Sequence, residues 1–168
     1  LVSMRQALAG SLNIPAVKTL YLGGVTETIE LAKRLGINTL TRTNTYGLSL
    51  ALGGGEVALL EETAAFSVFA NDGKRNPTRA ILKIVDESGN EKVSEIQEKL
   101  VMDPQVARKI ASIMSDNSAR AYVFGTNNPL YFKDKTVAAK TGTTQDFRDT
   151  WTVGYTPSIA VGVWVGNN

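Results

Sequence analysis

The sequence predicts an α+β fold in which helices come first and an antiparallel sheet comes last. Apolar side chains recur at helical spacing before the last third of the chain. The last third instead holds short apolar runs typical of strands, at residues 136–141, 150–155 and 159–165. A length of 168 residues is enough for one domain with a real core. We therefore expect an antiparallel sheet packed with helices.

The first half of the chain is expected to form four helices, each bounded by a capping residue, a proline or a glycine. Their expected ranges are 3–9, 16–22, 26–35 and 59–71. Ser3 would cap the first helix, Pro15 would open the second and Gly36 would end the third. Residues 39–47 are polar and rich in turn formers, so we expect a loop there.

The rest of the chain predicts two hairpins and one more helix. A strand over residues 81–85 would return through residues 92–93 after a turn. Asp103 and Pro104 together mark a helix start, as a cap followed by proline at the first helical position. Residues 156–158 form a tight connector, so the last two strands should pair as a hairpin. The buried face of the Asp103 helix is expected to hold Val106, Ile110, Ile113 and Met114.

Composition excludes several classes of chemistry. The chain has no histidine and no cysteine, so it cannot build a Ser-His-Asp triad, a thiol nucleophile or a zinc site of the usual kind. Catalysis near neutral pH would have to use lysine, carboxylates and hydroxyls. We expect no metal and no cofactor. A net charge of +2 is too small to indicate binding to nucleic acid or to an anionic membrane. No apolar run is long enough to span a membrane.

The strongest local candidate for a site is at residues 140–144, with the sequence KTGTT. Alternation along a strand would place Lys140 and Gly142 on one face and Thr141 and Thr143 on the other. The glycine would let an extended ligand approach the backbone and pair with this strand. The lysine would supply positive charge, and the threonine hydroxyls could bind a carboxylate. The competing interpretation is a solvated lysine that protects an edge strand from aggregation.

Ser11 and Asn13 are the second candidate, in the expected break between two helices. Both polar side chains could point into one cleft, although serine and asparagine are also common helix caps and turn formers. We interpret residues 115–117, SDN, as a helix end rather than a site. Residues 53–55 are three glycines before a helix, but the following Glu56 would repel a phosphate. Nucleotide binding is therefore disfavoured.

Five segments together resemble the transpeptidase domain of penicillin-binding proteins. Residues 7–17 are similar to the family's second motif, Ser-x-Asn, and residues 140–144 to its third. The others follow in the right order, at residues 52–66, 148–157 and 161–166. The resemblance is closest to class A bifunctional enzymes, with penicillin-binding protein 1C as a candidate subtype. It implies a β-lactamase/transpeptidase-like α+β fold, present only in part.

The family's first motif, Ser-x-x-Lys, is absent. None of the ten serines has a lysine three positions later. In the family this motif precedes the second one, which here begins at Ser11. We therefore expect residues 1–168 to be a partial transpeptidase domain whose nucleophile lies in the remaining part, with a glycosyltransferase domain further upstream.

The resemblance implies that the missing serine attacks the penultimate D-Ala of a peptidoglycan stem peptide. An amine of a neighbouring stem then takes the acyl group. Ser11 would relay a proton, Asn13 would bind the peptide amide, and Lys140 would hold Ser11 in place. Thr141, Gly142 and Thr143 would bind the substrate, and β-lactams would occupy the same site. The family also implies a location outside the cytoplasm, with the full-length protein anchored in the membrane.

Two alternatives stay open. The chain could belong to a non-catalytic module that keeps the peptide groove, or to a β-lactamase-like hydrolase. The hydrolase needs a base to activate water, and the glutamates available for that role are Glu56, Glu61 and Glu62.

Overall fold

The structure, a computed structural model, describes residues 1–42, 45–93, 95–144 and 148–167. The helices in these ranges are α1 Met4–Ala9, α2 Asn13–Gly23, α3 Val25–Leu35, α4 Leu59–Ala70, α5 Pro104–Met114 and α6 Asn117–Phe124. A short 3-10 helix covers Leu48–Leu52. The strands are β1 Lys74–Arg75, β2 Lys83–Val85, β3 Glu91–Val93, β4 Lys99–Leu100, β5 Ala138–Thr143, β6 Asp149–Thr156 and β7 Ile159–Gly166. Residues 43 and 44 of the predicted loop lie outside the described residues.

The main sheet has three antiparallel strands in the order β5-β6-β7. Lys140 pairs with Val153 of β6, and Val153 pairs with Gly162 of β7. The hairpin predicted at residues 156–158 is confirmed by the pairing of Thr156 with Ile159. Within the described residues β5 has one neighbour, so its second edge is open to a ligand.

Helix α4 is the element on which both cores of the molecule are built. Its Ala65 and Val68 are buried in a cluster with residues of α3 and the segment that follows it: Ile29, Leu35, Ile37 and Leu40. Its Phe66 and Phe69 pack instead on Tyr155 of β6, with ring centroids 6.4 Å apart in both pairs. These rings stabilise the packing of α4 on the sheet, because they remove apolar surface from water and meet in favourable edge-to-face and stacked arrangements. One helix therefore fixes the sheet relative to the N-terminal helices.

The two faces of the sheet differ in what covers them. The face that carries Lys140, Val153 and Tyr155 packs on helices, and Val153 and Tyr155 are buried. On the opposite face the alternate residues of β7 are half exposed or more: Ile159, Val161, Val163 and Val165. Period-two alternation explains this division. The outer face of β7 is thus an uncovered apolar stripe.

Three of the predicted helix boundaries are confirmed by their capping geometry. Ser3 accepts a hydrogen bond from the Gln6 N–H and Asp103 from the Gln105 N–H, as N-caps do. Gly36 ends α3 in the left-handed conformation, as predicted. The second helix was predicted to start at residue 16 but begins at Asn13. Proline is tolerated throughout a first helical turn, where no N–H partner is needed.

The predicted buried face of α5 was partly wrong. Val106 is 45% exposed, whereas the neighbouring Ala107 is fully buried. The buried face runs through Ala107, Ala111 and Met114, which are spaced at helical periodicity. The small Ala107 lies on the buried face of α5, and the larger Val106 beside it faces solvent. Helix α6 and the β1–β4 pair were not predicted from the sequence. No helix among the described residues combines the length and apolar character needed to cross a membrane.

Strand β7 contacts helix α4 closely at Gly162. A Cβ added at Gly162 would lie 2.0 Å from Thr63 Oγ1 and 3.2 Å from Thr63 Cβ and Leu59 Cδ1. We expect Gly162→Ala to lower the free energy of unfolding by about 1–3 kcal/mol, measured by urea denaturation. Combining it with Thr63→Ala should recover part of that loss.

The matched control is Gly23→Ala. A Cβ at Gly23 meets nothing within 4 Å, so this variant should be at least as stable as the parent. If Gly162→Ala were as stable as Gly23→Ala, the tight contact between β7 and α4 would be absent in solution.

Candidate active site

A lysine and a serine from opposite ends of the chain meet between the N-terminal helices and the sheet. The Lys140 ammonium donates a hydrogen bond to Ser11 Oγ over 2.6 Å, across a sequence separation of 129 residues. The same ammonium donates to the Thr141 carbonyl. These bonds use two of the three donors of a lysine, and leave one for another group.

The turn between α1 and α2 presents the Ser11 hydroxyl. The Leu12 N–H donates to the Ala7 carbonyl and the Ser11 N–H to the Leu8 carbonyl, which is the hydrogen-bond pattern of a Schellman motif. Ser11 occupies the position that this motif usually gives to glycine, with φ of 56°. A residue with a Cβ costs about 1–2 kcal/mol in this conformation. The structure therefore tolerates local strain where the hydroxyl emerges.

Capping does not explain Ser11 and Asn13. The N-cap of α2 is Leu12, and no side chain caps that helix end. Asn13 is the first residue of α2 and is exposed, as is Ser11. The part of the competing interpretation that made these side chains caps of α2 is therefore wrong, whereas its turn-former part is confirmed for Ser11, which lies in the turn after α1. Both polar side chains are exposed at the junction of α1 and α2.

Burial sets the charge state of Lys140. Its side chain lies on the helix-covered face of the sheet, and this desolvation lowers its pKa to about 8. This value includes a smaller contribution from the positive charge of Arg120 on α6. Lys140 is thus not the solvated edge-strand lysine of the competing interpretation, and it titrates within reach of physiological pH.

Arg120 was missed by sequence reasoning. Its side chain is 1% exposed, and one Nη donates to the Met114 carbonyl while Nε and the other Nη lack a partner among the described residues. Burial lowers its own pKa, and Asp116 opposes that shift. No sequence signal marked this arginine, because α6 itself was not predicted.

The open edge of β5 presents backbone groups beside Lys140. The Thr144 N–H donates to the Asp149 carbonyl of β6 over 3.1 Å. Successive N–H groups of a strand point to opposite edges, so the Thr143 N–H points to the open edge. Thr141 and Thr143 lie on the outer face, with Thr143 exposed, and Gly142 lies between them.

The site is open in this chain. Two pockets lie elsewhere, one between α6 and residues 130–137 and the other between α3 and β4. Neither is lined by Ser11 or Lys140. Ser11 itself is exposed, so its hydroxyl is reachable from solvent.

Residues 115–117 join helices, in agreement with their interpretation from the sequence. Ser115 ends α5, and Asp116 caps α6 by accepting from the Ala119 N–H. Arg5 of α1 donates to Asp116 Oδ2 over 3.0 Å and to the Ser112 carbonyl. This cluster holds α1 against α5 and α6.

The glutamates considered as a hydrolytic base do not join the lysine and serine. Glu61 accepts hydrogen bonds from the Asn38 and Thr39 N–H groups, and these lower its pKa against the opposing effect of desolvation. Burial raises the pKa of Glu62. Within the described ranges, no hydrogen bond links Glu56, Glu61 or Glu62 to either residue. Nor do acidic residues cluster there in a way that could hold a metal ion.

Gly53 approaches the end of β5. It has φ of 94°, and a Cβ added to it would lie 3.0 Å from the Thr144 Cγ2. The glycine-rich loop at residues 53–55 thus packs beside the KTGTT segment. A larger side chain at Gly53 would crowd Thr144 there.

Comparison with known proteins agrees with these features. The sequence matches the family described as penicillin binding protein transpeptidase domain over residues 1–167. Penicillin-binding protein 1A of Aquifex aeolicus is 43% identical over 169 residues, which cover 98% of this chain and 22% of that protein. Penicillin-binding protein 2a of Streptococcus pneumoniae is 33% identical, covering 98% of this chain and 23% of that protein. The chain thus spans less than a quarter of the length of these relatives.

A solved structure of a penicillin-binding protein has a similar fold. PonA1 from Mycobacterium tuberculosis in complex with penicillin V superposes with a TM-score of 0.80 at 25% identity. The match covers 99% of this chain and 48% of that one. The predicted α+β, β-lactamase/transpeptidase-like fold is confirmed. The chain belongs to the penicillin-binding protein transpeptidase family.

Proposed function

We propose that this chain is part of a peptidoglycan D,D-transpeptidase that cross-links stem peptides through a serine acyl-enzyme and binds β-lactams. The observation that carries the proposal is the 2.6 Å hydrogen bond from Lys140 to Ser11 Oγ in a chain of this family. The penicillin V complex of PonA1 supports β-lactam binding. Class A relatives support a glycosyltransferase domain elsewhere in the full-length protein.

Lys140 and Ser11 would move a proton together. The charged Lys140 orients the Ser11 hydroxyl by donating to its oxygen, so the hydroxyl proton points away toward the leaving nitrogen. Once Ser11 gives that proton up, the ammonium stabilises the oxygen left behind. Asn13, exposed at the start of α2, would bind the peptide amide on the same side.

The open edge of β5 would bind the extended substrate. A stem peptide can add to this edge as a further strand through backbone hydrogen bonds. The outward Thr143 N–H would then donate to the carbonyl oxygen that becomes negative during attack. Such a donor is worth about 3–4 kcal/mol to the transition state. Thr141, Gly142 and Thr143 would contact the terminal carboxylate, assisted by the charge of Lys140.

Exposed apolar surface supports the proposal that residues 1–168 are one part of a larger domain. The outer face of β7 is an uncovered stripe, and Val165 is 66% exposed. On α2, Ile14, Tyr21 and Leu22 are each more than 70% exposed. Surfaces of this kind are normally covered. We propose that the remaining part of the domain covers them and brings the nucleophilic serine with its own lysine.

The same proposal places the protein outside the cytoplasm, where peptidoglycan is cross-linked, and anchors the full-length enzyme to the membrane. The partners are then stem peptides and β-lactams, with no nucleic acid. The non-catalytic alternative differs only in lacking the upstream Ser-x-x-Lys.

Labelled penicillin tests the location of the nucleophile. We expect a polypeptide of residues 1–168 to remain unlabelled by a fluorescent penicillin, and a longer polypeptide with the upstream part of the domain to be labelled stoichiometrically. The reason is that no serine in this chain belongs to a Ser-x-x-Lys motif. Intact-protein mass spectrometry measures the covalent adduct. Stoichiometric labelling of residues 1–168 would place the nucleophile within this chain, and an unlabelled longer protein would favour the non-catalytic module.

The pKa of Lys140 predicts how acylation depends on pH. Because burial lowers that pKa to about 8, the ammonium loses its proton as pH rises through this value. We expect the acylation rate of the longer protein to fall between about pH 7 and 9, since the charged form is the active one. Arginine stays charged over this range, so Lys140→Arg should lose this decline whatever its absolute rate.

Stopped-flow measurement of acylation between pH 6 and 10 checks this expectation. An identical alkaline decline in Lys140→Arg would assign the titration to another group.

A further inference from the structure

A hydrogen-bonded clamp holds the end of β5 beside the open strand edge. Asp149 Oδ2 accepts from the Thr144 hydroxyl over 3.1 Å, and the Thr144 Oγ1 accepts from the Asp149 N–H over 3.0 Å. The Thr144 N–H donates to the Asp149 carbonyl. Trp164 of β7 completes the clamp, because its indole N–H donates to Asp149 Oδ1 over 2.9 Å.

All three clamp residues, Thr144, Asp149 and Trp164, are partly buried, so water competes less with these bonds than on an open surface. The carboxylate of Asp149 has both oxygens occupied, one by each neighbouring strand. Hydrogen bonds to a charged carboxylate are stronger than those between neutral groups. The clamp therefore ties β5 to β7 across the intervening strand.

The clamp acts next to the candidate oxyanion donor. Thr143 directly precedes Thr144, and its N–H points to the open edge because the Thr144 N–H is bonded inward. The Thr144 methyl group also packs toward Gly53, so movement of Thr144 is limited on that side too. The Thr143 N–H lies on the peptide bond between Gly142 and Thr143, one residue earlier. Fixing the Thr144 backbone holds the peptide bond between Thr143 and Thr144, and this restricts rotation at Thr143, which sets the direction of its N–H.

We propose that Asp149, oriented by Trp164 and bonded to Thr144, is a positioning residue that holds the Thr143 N–H in its acylation geometry. This inference rests on the proposed function, since the donor matters only if an acyl group is transferred there. Asp149 directs its two carboxylate oxygens to Thr144 and Trp164, so it would act through these residues. A hydrogen-bond donor must point to the atom on which negative charge develops. A small error in its direction lowers the acylation rate more than it weakens noncovalent binding.

The experiment uses the longer protein that contains the whole domain, with a labelled penicillin as probe. Thr144→Val removes the hydroxyl and keeps the volume, and Trp164→Phe removes the indole donor. We expect both variants to acylate about tenfold to a hundredfold more slowly at saturating penicillin, while the dissociation constant of the noncovalent complex changes less than about threefold. Thr144→Ser, which keeps the hydroxyl, should remain within about threefold of the parent.

The matched control for Trp164→Phe is Trp151→Phe. Trp151 lies directly opposite Trp164, and its indole N–H has no hydrogen-bond partner in the part of the chain that the structure describes. The acylation rate of Trp151→Phe should stay within about twofold of that of the parent. Thermal unfolding of every variant separates positioning from folding. If Thr144→Val lost stability but its folded fraction acylated at the parental rate, the positioning role would be overturned.

A second measurement remains informative even without acylation. In protein labelled with ¹⁵N-threonine, the Thr143 amide should have an order parameter near 0.85 in the parent and Thr144→Ser, and below about 0.6 in Thr144→Val. An unchanged order parameter in Thr144→Val would overturn the clamp. A parent that never acylates but shows this contrast would contradict the proposed function while supporting the clamp.

Discussion

The hydrogen bond between Lys140 and Ser11 is the interaction on which the site depends. It joins the turn after α1 to a strand 129 positions later, so it forms only when helices and sheet are packed together. The same packing buries the lysine, and burial lowers its pKa to about 8. A chain without histidine thereby obtains a cation that titrates near neutral pH, held against a hydroxyl.

Helix α4 and the strained serine show how the fold maintains this contact. Phe66 and Phe69 hold the inner face of the sheet, while Ala65 and Val68 hold the N-terminal helices. Ser11 accepts a left-handed conformation that glycine would adopt more easily. Strain of this kind persists where surrounding structure over-determines it, commonly at functional sites. The cost supports a role for the hydroxyl, because a glycine would satisfy the turn alone.

Local signals in the sequence predicted much of the fold. Ser3, Gly36 and Asp103 mark helix ends through their own backbone chemistry, and these predictions were confirmed. Signals that depend on tertiary contact were missed. Arg120 is buried on α6, a helix that was not predicted, and Val106 is exposed because the buried face of α5 runs through Ala107 instead. The role of Asp149 depends on a bond to β7, which no spacing along the chain reveals. The catalytic roles of Ser11, Asn13 and Lys140 remain predictions.

The most direct test is a double-mutant cycle on penicillin acylation in the longer protein, with Ser11→Ala, Lys140→Ala and the combination. Residues that act as one unit are non-additive, with coupling of about 0.5–3 kcal/mol. We expect Lys140→Ala to slow acylation about tenfold to a hundredfold when Ser11 is present, and less than about threefold when it is absent. Equal reductions in both backgrounds would show that the ammonium and the hydroxyl act independently, and would contradict this account.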